Sequence, residues 1–202
     1  MKKRKILYLG KTTRTSMLIV SVFCITAWAD EDAKVGREII AKSQDAVVQV
    51  KLVIEANEYE TKTEAIATVI APSGLSVLSL SSIDPGSISM WEGAETGSAS
   101  KLTDLKMVMP DGAEIPAKVV LRDKDLDLAF IEPVEKISKP AQSIDLADNT
   151  KPEILDRVII LSRLGESAGR VLSASICRIQ AIINKPRVLY LPDLSGMMNG
   201  LG

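Results

Sequence analysis

"MPDGAEIPAKVVLRDKDLDLAFIEP", residues 109 to 133, carries the signals on which the fold turns. Asp111-Gly112 supplies a positive-φ turn between two alternating runs, which spells a β-hairpin. A third run, "LDLAFIEP", follows at once. The same texture extends both ways, through "AVVQVKLVIEA", "TEAIATVIAP", "LSVLSL" and "LKMVMP" upstream and "DRVIILS", "RVLSASICRIQAII" and "RVLYLP" downstream. These runs are short, rich in Val and Ile, and punctuated by "PSG", "DPGS", "RLGES" and "NKP". Such spacing predicts an antiparallel all-β sandwich or barrel.

Ahead of the strands, "DEDAKVGREIIAKSQDA" places Val35, Ile39 and Ile40 on one face, predicting a short amphipathic helix that packs as an N-terminal arm over residues 30–43. The β runs fall into two units, 44–135 and 155–202, joined by a polar, proline-containing linker over 136–154. The stretch "DPGSISMWEGAETGSASKLTD", residues 84 to 104, is too long for a tight turn, and loops of that length are usually functional. Its Trp91 is either an interface anchor or a cover for its own loop.

Residues 1–29 hold six Lys and Arg, no acid, an apolar run "SMLIVSVFCITAWA" and an Ala27-Trp28-Ala29 pattern, the features of a secretory signal peptide. The run falls short of the ~20 residues that span a bilayer. Export to the periplasm or outside of a bacterium is expected, with no membrane association after cleavage. The chain's 25 basic residues then drop to 19 against 26 acids, a net of −7. That balance, with aromatics at 3%, argues against nucleic acid as a partner. Loss of Cys24 with the leader leaves Cys177 alone, so no intrachain disulfide forms. The apolar setting "SASICRIQAII" predicts a buried structural thiol, not a nucleophile.

The chain has no histidine. Zinc therefore lacks a ligand set. "DKDLD", Asp123 to Asp127, starts like a calcium loop, but the sixth position is Leu128 instead of Gly and the twelfth is Val134 instead of Glu. Alternation in a hairpin instead predicts that Asp123, Asp125 and Asp127 share one face as a solvated patch with one inward acid. Phosphate-cradling glycine loops are missing. No metal and no cofactor is expected.

In order and motif, Val35 to Gly202 resembles the Deg/HtrA-type trypsin-like serine proteases. "MPDGAEIPAKVVLRDKDLDLAFIEP" is similar to that family's "LADGREYPAKVVGRDPRTDLAVLKI" and sets Asp127 at the triad aspartate. "ATVIAPSGLSVLSLSSID" resembles "GFIID-x-x-GYVVTNNHVV" and sets Ser81 at the catalytic histidine. "IDLADNTKPEILDRVIILSRLGESAGRVLSASI" follows "LPLGDSDKLRVGDWVIAIGNPFG…TSGIVSA". "LPDLSGMMNGLG" resembles "TDAAINPGNSGG" and, counted from Asp193, sets Leu201 at the nucleophilic serine. The resemblance implies an all-β, chymotrypsin-like double antiparallel β-barrel with a short N-terminal helix. Because the family's second barrel continues past the nucleophile loop, the second barrel here is expected to be incomplete and the chain to be a fragment.

A serine hydroxyl needs imidazole as general base, and the same imidazole later protonates the leaving amine. Ser81 does neither, and Leu201 has no heteroatom with which to attack. Losing triad members costs roughly 10⁴ to 10⁶ in rate. Asp127 is then a structural carboxylate, expected to bond Ser81 and nearby amides because a buried charge needs partners. Lys101, Lys106 and Lys118 are bases by residue type alone, and Ser195 lies six residues out of register. The sequence thus predicts a catalytically inactive pseudoprotease that binds peptides or unfolded protein segments. Two alternatives stand beside it: an active serine endopeptidase whose nucleophile lies beyond Gly202, and a structural cell-envelope protein.

Overall fold

Two Pro-x-Gly turns set the register of the first β unit. Ala71-Pro72-Ser73-Gly74 and Met109-Pro110-Asp111-Gly112 each close with the glycine N–H donating to the carbonyl three residues back, at 3.0 and 2.8 Å. In each the flanking chain rejoins one residue later, through Ala71 N–H to Leu75 O (3.3 Å) and Met109 N–H to Ala113 O (2.9 Å). Both glycines have left-handed backbone, φ +90° at Gly74 and +85° at Gly112. This is the three-residue hairpin loop, a turn followed by a glycine bulge. Asp111 does not share the positive φ; its Oδ1 accepts a hydrogen bond from Ala113 N–H at 3.0 Å.

The computed structural model describes residues 31–56, 59–84, 101–147 and 149–193. The leader, Trp91, Ser195 and Leu201 lie outside the described residues. The chain is mostly β. Six strands form a closed antiparallel barrel: β1 (Val47–Ala56), β2 (Tyr59–Val69), β3 (Ser76–Ser79), β4 (Lys101–Val108), β5 (Glu114–Asp123) and β6 (Leu128–Pro133), in the order β1-β2-β3-β6-β5-β4. The meander β4-β5-β6 returns to lie beside β3, a Greek-key connection.

Period-two alternation builds the barrel interior. On β1, Val48, Val50 and Leu52 point inward while Lys51 and Val53 remain partly accessible. Ala65, Ala67 and Val69 on β2 join Leu78, Leu80, Leu105, Met107, Ala129 and Ile131 in one cluster. Alternating small and large side chains fill the taper of a small barrel. Lys101–Asp104, expected within the long loop, belongs instead to β4, where Leu102 lies opposite Ile54 and Lys101 opposite Glu55. The polar residues there gave no apolar signal, yet the ladder to β1 holds them extended.

The second unit is a three-stranded antiparallel sheet, β7 (Arg157–Arg163), β8 (Leu172–Ile183) and β9 (Leu189–Pro192), in chain order. Among its described residues only Cys177 and Ile179 are buried, the cysteine as a free thiol. The linker is strapped to the barrel by Ala141 N–H to Pro72 O (3.0 Å) and Ile144 N–H to Val69 O (2.9 Å). The expected helix forms as α1 (Glu31–Ser43), but Val35 and Ile39 on its apolar face are exposed. Three apolar residues among many polar ones give that helix little to bury. The chain divides into compact units between Glu38 and Ile39, within α1. Among the described residues no helix is long and apolar enough to cross a membrane.

A Cβ at Gly112 would meet nothing within 4 Å, whereas one at Gly74 would sit 2.8 Å from Pro133 Cγ. Gly112→Ala is expected to cost about 1–2 kcal/mol for left-handed backbone alone. Gly74→Ala carries that cost plus ~1–3 kcal/mol of overpacking. Urea unfolding of the two variants measures the difference, and equal midpoints would contradict the close approach to Pro133.

Candidate functional site

Leu80 is fully buried in the single 3₁₀ turn Leu80–Ser82 that ends β3, and Ser79 and Ser81 flank it. Facing them is the Lys124–Asp127 turn between β5 and β6. Asp123 Oδ1 caps that turn by accepting from Leu126 N–H at 2.9 Å. Asp127 closes it with φ +54°, a left-handed conformation that aspartate tolerates better than most residues. The backbone of Asp127 thereby accepts a hydrogen bond from Leu80 N–H at 3.0 Å.

The Asp127 carboxylate is surrounded by donors. Oδ1 accepts from Ser81 N–H at 2.7 Å, and Oδ2 from the hydroxyls of Ser79 (2.6 Å) and Ser81 (3.0 Å). The two hydroxyl oxygens lie 2.6 Å apart. Two hydroxyl protons thus serve three close oxygen contacts, and with the carboxylate ionised both are drawn toward Oδ2. The Ser79 hydroxyl, then the backbone and hydroxyl of Ser81, hold the Asp127 carboxyl below its ordinary pKa, against burial, which pushes it up.

The structure therefore brings Ser81 and Asp127 together, while Leu201 lies outside the described residues. Sequence reasoning missed Ser79, although its spacing of two residues from Ser81 was a signal for a shared face. Asp123, Asp125 and Asp127 do not share a strand face as expected. β5 ends at Asp123, so Asp123 caps the turn, Asp125 is exposed within it and Asp127 turns inward. Lys106 and Lys118 are engaged with Asp104 (3.3 Å) and Glu132 (3.1 Å), and Lys101 is exposed on β4. Among the described residues no three Cys, Asp or Glu side chains converge as a metal site.

Chemically, a carboxylate with a depressed pKa and three donors is a weak base. Its neighbours are hydroxyls that donate to it and accept no proton usefully near neutrality. The cluster is built to hold a charge still.

A second polar assembly joins the sheet to the barrel. Gln49, on β1 and 2% exposed, donates from Nε2 to Leu164 O at 2.7 Å. Arg163 reaches Val47 O from Nε (2.5 Å) and Gln44 O from a terminal nitrogen (3.0 Å). Glu64, on β2, accepts from the Glu166 N–H at 3.0 Å and pairs with Arg170 at 2.9 Å. Arg170 also pairs with Glu166 at 2.8 Å, and Lys51, held within the barrel by Glu114 at 2.6 Å, lies 3.8 Å from Glu166. Near the Asp127 turn, Arg187 of the β8–β9 loop donates to Asp125 O.

No family model matches the chain, and no curated protein matches it.

Because the folded pKa of Asp127 lies below the unfolded value of about 3.9, its contribution to stability is present above that value and lost as pH falls through the folded pKa. Urea midpoints measured between pH 2 and 6 should therefore fall with acidification in the native chain and less steeply in Asp127→Asn. Parallel curves would show that Asp127 is not the linked group. In Glu64→Gln, hydrogen exchange at the Glu166 amide is expected to accelerate about ten-fold, the loss of one charge-assisted hydrogen bond, while the Val50 amide in the barrel stays protected.

Proposed function

We propose that the chain is a Deg/HtrA-type, chymotrypsin-like fold that has lost hydrolysis and acts outside the cytoplasm by binding extended peptide or unfolded protein segments. The observation that carries this reading is the Ser81–Asp127 contact. The resemblance aligns these residues with a histidine and an aspartate far apart in sequence, and they are in hydrogen-bond contact. The β3–β6 ladder, whose last rung sets Ser79 opposite Leu128, is what brings residues 46 positions apart to the junction of β3 with the β5–β6 turn. A closed antiparallel barrel followed by a linker and a second antiparallel sheet supports the same reading.

With serine in place of imidazole, nothing at this site takes a proton from a nucleophile or returns one to a leaving amine. A cleft inherited from a protease keeps its ability to hold extended chain when hydrolysis is gone, since main-chain pairing does not depend on the triad. The leader read from the sequence would place this activity in the periplasm or outside the cell.

Incubation with unfolded casein and a fluorophosphonate probe tests the reading. Binding of labelled casein without turnover and without probe labelling is expected. Turnover with labelling would overturn the loss of hydrolysis, and absence of casein binding would overturn the binding role. Ser81→His restores an imidazole beside Asp127, and because Leu201 has no heteroatom it is expected to leave turnover at background. A gain of activity in that variant would point to a nucleophile at another position.

A further inference from the structure

The residues from Arg187 to Asp193, "RVLYLPD", are matched about Tyr190: a leucine on each side of it, then Val188 against Pro192, then a cation against an acid. They carry β9, which pairs with β8 and, among the described residues, with no other strand. Val188, Leu189, Tyr190 and Leu191 are all exposed. An open strand edge bearing apolar side chains is a template for another strand.

The hydrogen bonds fix which backbone groups face outward. Along an antiparallel strand, successive residues turn their N–H and C=O to opposite sides. Asp193 N–H donates to the Arg178 carbonyl of β8 at 2.8 Å, so Leu191 and Leu189 also face β8, while Pro192 and Tyr190 face away. Ile179, opposite Pro192, agrees, because its N–H and C=O are spent on Asp156 and Leu155, on the β7 side. Pro192 thus sits where its missing N–H takes nothing from the sheet. The open edge offers the N–H and C=O of Tyr190 and of Val188, and the Pro192 carbonyl.

We propose that this edge binds a second copy of itself, β9 lying antiparallel to its counterpart about a two-fold axis at Tyr190 and joining two three-stranded sheets into one. Such an interface is isologous, so every contact is made twice. The two Tyr190 residues exchange N–H···O bonds, and each Val188 N–H meets the Pro192 carbonyl of the other copy. Residues opposite one another share a sheet face. Leu189 therefore meets Leu191, Val188 meets Pro192, and Arg187 meets Asp193. Arg187 gives one terminal nitrogen to the Asp125 carbonyl and keeps its other donors for the acid. Moving the axis by one residue, to Leu189 or Leu191, sets Arg187 or Asp193 against a leucine. Parallel pairing in register would oppose Arg187 to Arg187. An unrelated extended peptide would also bond the Tyr190 backbone, but a second copy supplies a matched residue at every position. The surface shares no residue with the Ser79–Ser81–Asp127 cluster, so the inference does not rest on the pseudoprotease reading.

Sedimentation equilibrium of the purified full chain tests it, and a mass rising from one copy to two with concentration is expected. Tyr190→Pro removes an outward N–H and leaves the bonds to β8 in place. It should weaken the dimer about thirty-fold, the loss of two main-chain hydrogen bonds, with slow exchange at the Val50 amide showing that the barrel is intact. Cysteines read the axis. Tyr190→Cys sets two thiols on Cα atoms about 5.5 Å apart, within disulfide reach, whereas Val188→Cys holds them about 14 Å apart along the strands. Oxidation should link the first variant into a dimer and leave the second at the background set by Cys24 and Cys177 of the unmodified chain. If Tyr190→Pro fails to fold, the cysteine comparison still decides. The proposal is overturned by a single-copy mass at every concentration, by a dimer that Tyr190→Pro leaves unchanged, or by equal linking of both cysteine variants. A chain that stays monomeric yet loses casein binding in Tyr190→Pro would assign the edge to an extended peptide and overturn the second copy.

Discussion

The Asp127 carboxylate closes the weakest seam of the barrel. β3 is four residues long, meets β2 at Thr68 and Val69, and meets β6 over Ser76–Ser79. A ladder that short stabilises little by itself, and the chain leaves β3 for the long excursion to β4 immediately afterwards. Asp127 extends the seam past its last rung. Its backbone carbonyl takes the Leu80 N–H, and its side chain takes the Ser81 N–H and two hydroxyls. Leu80, held by these bonds on both sides, is driven fully into the core. The cost of the left-handed backbone at Asp127 is offset because that conformation lets carbonyl and carboxylate reach the same turn of chain.

The two β units are held by different physics. Inside the barrel, alternating apolar residues supply a dry cluster, and burial of that surface drives closure. Among the described residues the sheet of β7, β8 and β9 buries only Cys177 and Ile179, and residues such as Val171, Ile176, Leu189 and Leu191 are exposed. Its attachment runs through Gln49, Arg163 and the Glu64–Arg170–Glu166 group. Directional polar contacts fix a position more sharply than they bind it. Exposed members of such a network are screened by salt, while its half-buried pair is screened less.

What could be read in advance followed from local chemistry. The glycine at position 112 announced its hairpin because few other residues take that backbone cheaply, and the runs of Val and Ile between turn signals announced strands, with strict burial alternation on β6. Cys177 showed its burial through its apolar neighbours. Legibility failed where a residue's role depends on something distant in the chain. Nothing near Glu64 indicates that it meets Arg170, which is 106 positions away. The polar start of β4 is extended only because β1 lies beside it. The acids after Leu121 were read as a continuing strand, and the turn that replaces it is visible only through the Asp123 cap.

On the proposed reading, the exchange of imidazole for hydroxyl at position 81 preserves one half of an old interaction and removes the other. A triad aspartate needs a donor to orient, and a serine hydroxyl supplies that donor, so the part-buried carboxylate keeps a partner. Serine is shorter than histidine, and the space and the second lone pair of Oδ2 are taken up by Ser79 at 2.6 Å. What has gone is the far side of the imidazole, the nitrogen that accepts a proton from the nucleophile. The carboxylate still holds the end of β3 to the β5–β6 turn, while on this reading no group at position 81 carries a proton.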